Sequence, residues 1–351
     1  MINKLIQVGM LVKNIPLKLE IEAIESASNN IADVVIHTSL DYSDRLSKHY
    51  CAKIYLKRED LQAIRSYKIR GAYNLISSLS PDKRKLGIVT ASAGNHAQGV
   101  AFSAKKLGIY ATIFMPKTTQ LQKINRVKSL GGDYIKIELV GDNFDECNHL
   151  ALQLSKKNGS IFIPPFDDDL IIAGQGTVAK EIYEDLGKDV DIIICPVGGG
   201  GLIAGVSTYF KYKKPSTKII GVESENSAAM YESLKHGKVI TLSDIDTFVD
   251  GVAVKTVGNR TFEIVSKLVK QIVVVPVGKI CCTMIDLYQE EGIITEPAGA
   301  LSVASLDSIA SDIKNKTIVC IISGGNNDLM RYPEIIEKSL AYKAEQSSKV
   351  S

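Results

Sequence analysis

DIIICPVGGGGLIAGVSTYFKY, residues 191–212, decides the architecture. Residues 191–197 are apolar at almost every position, the pattern of a strand covered on both faces in a parallel sheet. Gly198, Gly199, Gly200 and Gly201 follow, and Leu202 opens a helical stretch that reaches Tyr212. Strand, glycine loop and helix in that order bring bare backbone N–H groups and a positive helix end to one point. Such a point attracts a phosphate by about 0.3–2 kcal/mol. Without a ligand the same residues would be a flexible turn. No Gly-Lys-Ser/Thr follows, so this is not a Walker loop. The dinucleotide spacing is met only trivially, although Glu223 stands after the next strand as a ribose-binding acid would.

The alternation seen here recurs along the chain. Strands are expected at 53–56, 87–90, 111–115, 133–137, 160–163, 191–197, 218–222, 271–275 and 317–322. Amphipathic stretches separate them. In residues 144–157, Phe144, Cys147, Leu150, Ala151 and Leu154 share one helical face. The fold class is therefore α/β.

At 351 residues the chain is long enough for about two domains. Lys plus Arg (42) nearly balances Asp plus Glu (39), leaving a net charge of +3. That gives no electrostatic footprint for nucleic acid or a membrane surface. The apolar runs are too short to span a bilayer. The N-terminus, broken by Gln7 and Gly9, reads as a cytoplasmic start or a loosely ordered arm and not as a signal peptide. Six cysteines without a CxxC pair suggest reduced thiols, with Cys195, Cys281 and Cys320 as core residues. The charged tail after Met330 reads as one helix fading into disorder.

In an open α/β sheet, ligands bind at the carboxyl ends of strands. Three further segments lie there or nearby. Lys68, in SYKIRGA (66–72), sits between Tyr67 and Ile69, where desolvation would lower its pKa and free its amine for nucleophilic attack. TASAGNHAQG (90–99) opens a helix with small polar residues suited to a carboxylate or to a plain N-cap. Its His96 reads as a structural hydrogen-bonder. Ser323, in ISGGNN (322–327), ends the last strand. A phosphate cradle, an amine, a carboxylate loop and a hydroxyl together suit a phosphorylated aldehyde held covalently by a lysine. They suit a nicotinamide dinucleotide poorly.

These segments resemble a family. YLKREDLQ (55–62), SYKIRGAY, TASAGNHAQGVA, PPF (164–166), AGQGT (173–177), PVGGGGLIAG (196–205), DGVAVK (250–255), EPAGAL (296–301) and ISGGNND (322–328) are similar to the threonine dehydratase branch of the fold-type-II pyridoxal-phosphate enzymes. The likeness runs from about Leu19 to Ala341. It implies two open, mostly parallel twisted sheets flanked by helices. Residues 1–86 and 164–341 would form a large cofactor domain, 87–163 a small substrate-closing domain inserted in it, and 342–351 a tail. It implies pyridoxal 5'-phosphate bonded to Lys68, its phosphate on Gly198, Gly199, Gly200, Gly201 and Leu202, its ring hydroxyl on Asn95 and its pyridine nitrogen on Ser323. Ser92, Ala93 and Gly94 would receive the substrate carboxylate.

The implied reaction converts L-threonine to 2-oxobutanoate and ammonia, and L-serine to pyruvate, with Lys68 moving the Cα proton. It would serve isoleucine biosynthesis or threonine catabolism. A hydroxyl on the pyridine nitrogen makes a weaker electron sink than an aspartate partner, which favours loss of a β-hydroxyl over transamination. The family's assembly implies a homodimer or homotetramer in the cytoplasm. Its partners would be a small amino-acid substrate, with no nucleic acid and no membrane.

Rivals differ at named positions. Serine racemases carry a second serine just before Gly-Asn-His, where this chain has Ala93. Their cation site starts at the position of Glu223, but its second acid falls on Ala229, so no strong metal site is expected, although backbone carbonyls could still hold a cation. A β-replacement enzyme would turn over O-acetylserine, an inactive cofactor-binding regulator would release no ammonia, and a dehydrogenase would change a reduced nicotinamide's absorbance. The end at Ser351 leads to the expectation of no C-terminal regulatory domain and no response to isoleucine.

Overall fold

A computed structural model of the chain describes residues 5–7 and 19–350. The eleven strands are β1 (Leu5–Gln7), β2 (Leu40–Tyr42), β3 (Lys53–Arg58), β4 (Ile88–Ala91), β5 (Ala111–Met115), β6 (Ile135–Leu139), β7 (Ile161–Phe162), β8 (Ile192–Pro196), β9 (Lys218–Ser224), β10 (Gln271–Val275) and β11 (Thr317–Ile322). They form a seven-stranded sheet in the order β1-β10-β9-β8-β11-β3-β2 and a four-stranded sheet in the order β6-β5-β4-β7. Every pairing is parallel except β1 on β10 and β2 on β3, both at edges.

All nine expected strands are present, shifted by a residue or two at their ends. The two unexpected strands span three residues each, too short to set up a readable period. Within the N-terminal stretch expected to be a cytoplasmic start or a loose arm, Leu5–Gln7 instead form β1, with Leu5 paired to Val273 across an antiparallel ladder. The rest of that stretch lies outside the described residues. The C-terminal helix Tyr332–Val350 runs on through the segment expected to fade.

The successive apolar residues of the central strands are explained by layers on both sides. Ile192, Ile194, Ile220, Ile318, Cys320 and Ile322 belong to one core, and Ile193, Cys195, Ile219, Val319 and Ile321 to the other. Neighbours in sequence point to opposite faces, so both must be apolar. Each buried aliphatic side chain contributes about 1.5–3 kcal/mol. The helix Phe144–Asn158 buries Cys147 and Ala151 as expected, but Phe144 stays largely exposed and faces a cavity.

One buried ionic cluster fixes the helix that begins at Lys68. Arg70 donates to Glu59 through Nε and Nη2, both at 2.8 Å, and to Glu181 through Nη1 and Nη2 at 2.6 and 2.9 Å. Lys57 reaches Glu181 at 2.7 Å and the carbonyl of Thr38 at 2.7 Å. Two cations and two carboxylates thus neutralise one another out of water. The cluster ties the helix Lys68–Ser77 to the end of β3 and to the helix Asp169–Leu186. Those two helices touch backbone to backbone, because a Cβ on Gly174 would lie 2.6 Å from the carbonyl of Arg70.

Candidate active site

A cavity of about 760 Å³ opens where the carboxyl ends of β4 and β8 meet the loop after β11. Lys68, Ser92, Ala93, Gly94, Asn95 and Gly198 through Leu202 all line it. Residues from both sheets therefore converge, as an open α/β architecture dictates.

Lys68 is the first residue of its helix. The strand-like segment before it is zipped to the end of β11, with Tyr67 N donating to Ser323 O at 3.2 Å and Gly325 N to Arg65 O at 2.9 Å. The amine donates to the carbonyl of Pro165 at 2.8 Å. Burial lowers its pKa to about 8, and attraction to Glu296 opposes that only in part. A substantial neutral fraction is then present near neutral pH, which an amine nucleophile or base requires.

The glycine loop is built for close approach. A Cβ on Gly199 would lie 2.2 Å from the Phe166 ring, and one on Gly198 would lie 2.9 Å from Val252. Gly200 has φ +95°, which side chains resist. The helix Gly201–Lys213 starts here, and its first backbone bond runs from Ala204 N to Gly200 O. The N–H groups of Gly201 to Ile203 thus precede the helical ladder and need an outside acceptor. Thr261 Oγ1 donates to Gly199 O at 2.6 Å and holds the loop from behind. Asp167 anchors the same corner, accepting from the backbone N–H of Arg260 at 2.9 Å and of Thr261 at 3.1 Å.

Opposite lies the helix Asn95–Leu107, whose N-terminus has no side-chain cap. Ser92 Oγ accepts from Gly94 N at 3.2 Å and shapes the turn, so it is not the plain N-cap that the sequence allows. His96 is a structural residue. A carbonyl only accepts, so its Nε2 must carry the hydrogen that meets Ile163 O at 3.0 Å. Burial, with Lys68 nearby, lowers its pKa to about 3 and keeps it neutral.

Ser323 is buried but does not line the cavity, and its Oγ donates to Ala298 O at 3.3 Å. Glu223 caps a helix. It accepts the N–H groups of Met230 at 2.9 Å and Tyr231 at 2.7 Å at the start of the helix Ala229–His236. Two cavity residues carried no individual role in the sequence reading. Glu296 accepts from Asn95 Nδ2 at 2.6 Å, and Asn326 Nδ2 donates to Asn95 Oδ1 at 2.7 Å. An acid just before Pro-Ala-Gly-Ala, a run with nothing charged to pair it, was the available signal for Glu296.

Residues 31–324 match the family model described as pyridoxal-phosphate dependent enzyme. The chain belongs to the pyridoxal-phosphate dependent enzyme family. It is 50% identical over 329 residues to a biosynthetic L-threonine dehydratase of Halalkalibacterium halodurans, covering 94% of this chain and 79% of that one. Among solved structures, the processed form of threonine deaminase isoform 2 from Solanum lycopersicum superposes with a TM-score of 0.86 at 42% identity, over 97% of this chain and 99% of that one. Maize serine racemase superposes with a TM-score of 0.84 at 32% identity, over 93% and 99%.

The residues fit the family's cofactor. The glycine cradle leaves no room for Cβ atoms, the helix beyond it presents unpaired N–H groups to a phosphate, and Lys68 supplies an amine with a depressed pKa to an aldehyde. All six cysteines are free, and five of them are buried. Among the described residues no helix is long and apolar enough to cross a membrane.

Proposed function

We propose that this pyridoxal-phosphate enzyme is a threonine ammonia-lyase, converting L-threonine to 2-oxobutanoate and ammonia and L-serine to pyruvate. The observation that carries the reading is Lys68. Its buried amine, with a pKa lowered to about 8, sits between a phosphate-type cradle and an uncapped helix N-terminus in one cavity. The chain's 50% identity to a biosynthetic threonine dehydratase supports the substrate.

When bound, the cofactor supplies an electron sink for the Cα carbanion. The chain's own residues do the rest. Gly198 to Leu202 would hold the phosphate by backbone N–H groups. Ser92, Ala93 and Gly94, at the start of Asn95–Leu107, receive the substrate carboxylate, and the helix's positive end favours it. Asn95 would hold the ring hydroxyl, and Ser323 would serve the pyridine nitrogen once its hydroxyl leaves Ala298 O. The neutral amine of Lys68 would take the Cα proton, and the Lys68 ammonium so formed would return it as the β-hydroxyl departs as water. The released enamine becomes an imine and regains water on hydrolysis, giving the oxo acid and ammonia.

Two further parts of the reading concern closure and assembly. Residues 87–163 close over the substrate, supported by an ion pair that crosses the mouth from Lys123 to Asp250. The chain also assembles as a homodimer or homotetramer, which light scattering measures. Incubation of the holoenzyme with L-threonine, L-serine and D-serine, following 2-oxo acid and ammonia, tests the activity. Stoichiometric 2-oxobutanoate and ammonia from L-threonine are expected, and absence of both overturns it. Ala93 lacks the hydroxyl that two-sided proton transfer needs, so D-serine formation from L-serine is expected to stay at background.

A further inference from the structure

Glu296 is 4% exposed and faces the cavity, yet it takes no part in the chemistry above. It stands at the N-cap of the helix Pro297–Ala304 without capping it through its side chain. Its carboxylate lies between two glycines. A Cβ on Gly324 would fall 2.5 Å from Oε1, and one on Gly251 would fall 3.3 Å from it. Backbone from the loop after β11 and from the loop before Val252 therefore makes room for this side chain.

Oε1 accepts from Asn95 Nδ2 at 2.6 Å. At the other end of the same amide, Asn95 Oδ1 accepts from Asn326 Nδ2 at 2.7 Å, and Asn326 Nδ2 also donates to Ile64 O at 2.8 Å. A primary amide turns end for end at little cost unless its partners distinguish oxygen from nitrogen. Here both partners do. An ionised carboxylate only accepts, so the NH₂ end must face Glu296. The Asn326 amide is committed as a donor by Ile64, so the oxygen end must face Asn326. The second Nδ2 hydrogen of Asn95 has no acceptor among the described residues, and Asn95 lines the cavity.

We propose that Glu296 is a positioning residue which, through the polarity it imposes on the Asn95 amide, keeps an N–H donor and not a carbonyl available to the ring oxygen of bound pyridoxal phosphate. The proposal rests on the role given to Asn95 in the proposed function. The charged and titratable groups that act on Glu296 or are acted on by it are Asp250, Lys123, Lys68 and Tyr67. Burial and Asp250 raise its pKa to about 7, while Asn95 and Lys123 pull it down. Once protonated, the carboxyl can donate as well as accept and no longer dictates the amide's direction.

The test compares wild type, Glu296→Gln, Asn95→Ala and the double variant, each checked for native circular dichroism. Three readouts are taken: affinity of the apoprotein for pyridoxal phosphate by equilibrium dialysis, visible absorbance of the bound cofactor against pH, and kcat and KM with L-threonine. Glu296→Gln is expected to change the absorbance–pH profile and lower kcat by about 10- to 100-fold with KM within about threefold. In the Asn95→Ala background, Glu296→Gln is expected to add less than about twofold, because the contact it controls is already gone. Independent, multiplying losses overturn the proposal, as does an unchanged absorbance–pH profile in Glu296→Gln. If that variant does not fold, Glu296→Asp replaces it, retracting the carboxylate without removing it. The absorbance profile is then expected to change in the same direction by less, and no change overturns the proposal. A wild type that binds cofactor but makes no 2-oxobutanoate would overturn the threonine reading alone, since the absorbance and dialysis comparisons still decide the role of Glu296.

Discussion

Two buried charged centres meet at the start of the helix Lys68–Ser77 and use lysine and glutamate in opposite ways. In the first, Arg70, Lys57, Glu59 and Glu181 pair two cations with two carboxylates at 2.6–2.9 Å. Arg70 and Lys57 drive the Glu181 carboxyl below its ordinary value, and the carboxylates raise Arg70. In the second, Glu296 and Lys68 share the cavity, but Glu296 rises to about 7 and Lys68 falls to about 8. Burial wins there because each meets too little opposite charge. A balanced cluster holds backbone in place, and an unbalanced one keeps groups ready to exchange protons near neutral pH.

Removing the amine should break the second centre outright. Lys68→Ala is expected to cut 2-oxo acid formation by at least about 10³-fold, while circular dichroism stays native. Retained near-normal turnover would remove Lys68 from the chemistry.

The first centre should fail by unfolding. Arg70→Met leaves Glu59 and Glu181 buried with only Lys57 to answer them, which costs about 3–5 kcal/mol. A urea midpoint unchanged from wild type would show that the cluster does not carry the helix of Lys68.

The pH dependence of stability should separate the centres further. In the folded protein Glu296 holds its proton to about 7, against an ordinary 4.5 when unfolded. Its protonation therefore favours the folded state below about 4.5, and that contribution is lost as pH rises to about 7. The thermal midpoint of apo Glu296→Gln, relative to wild type, is expected to rise between pH 5 and 7. A constant difference would mean that Glu296 titrates like an exposed acid.

The smallest effect should come from His96, which touches the cavity but works as a donor to Ile163 O. His96→Gln can keep that donor and is expected to lower kcat by less than about fivefold, a net hydrogen-bond effect near 1 kcal/mol. A loss as large as that of Lys68→Ala would make His96 part of the proton chemistry.

Much of this was legible in the chain. Runs such as Ile192–Pro196 and Thr317–Ile322 announce strands covered on both faces, because adjacent side chains must fill opposite cores. The glycine loop announces an anion site, because only glycine lets backbone N–H groups come that close. Lys68 could be suspected from its apolar neighbours. β1 and β2 could not be read, since three residues at an edge leave no period and their pairing depends on β10 and β3.

What the sequence by itself determined is therefore the alternation of strand and helix, the loops at strand ends and the residue types that a phosphorylated aldehyde cofactor needs. Only the tertiary structure decided how those types act. Glu296 is 201 residues from Asn95 in the chain and 2.6 Å from it in the fold. Glu59 and Glu181 are also remote from each other in the chain, yet both meet Arg70. A carboxyl's solvation and partners set whether it anchors a helix or holds a proton, and both come from chain-distant segments that no local pattern encodes.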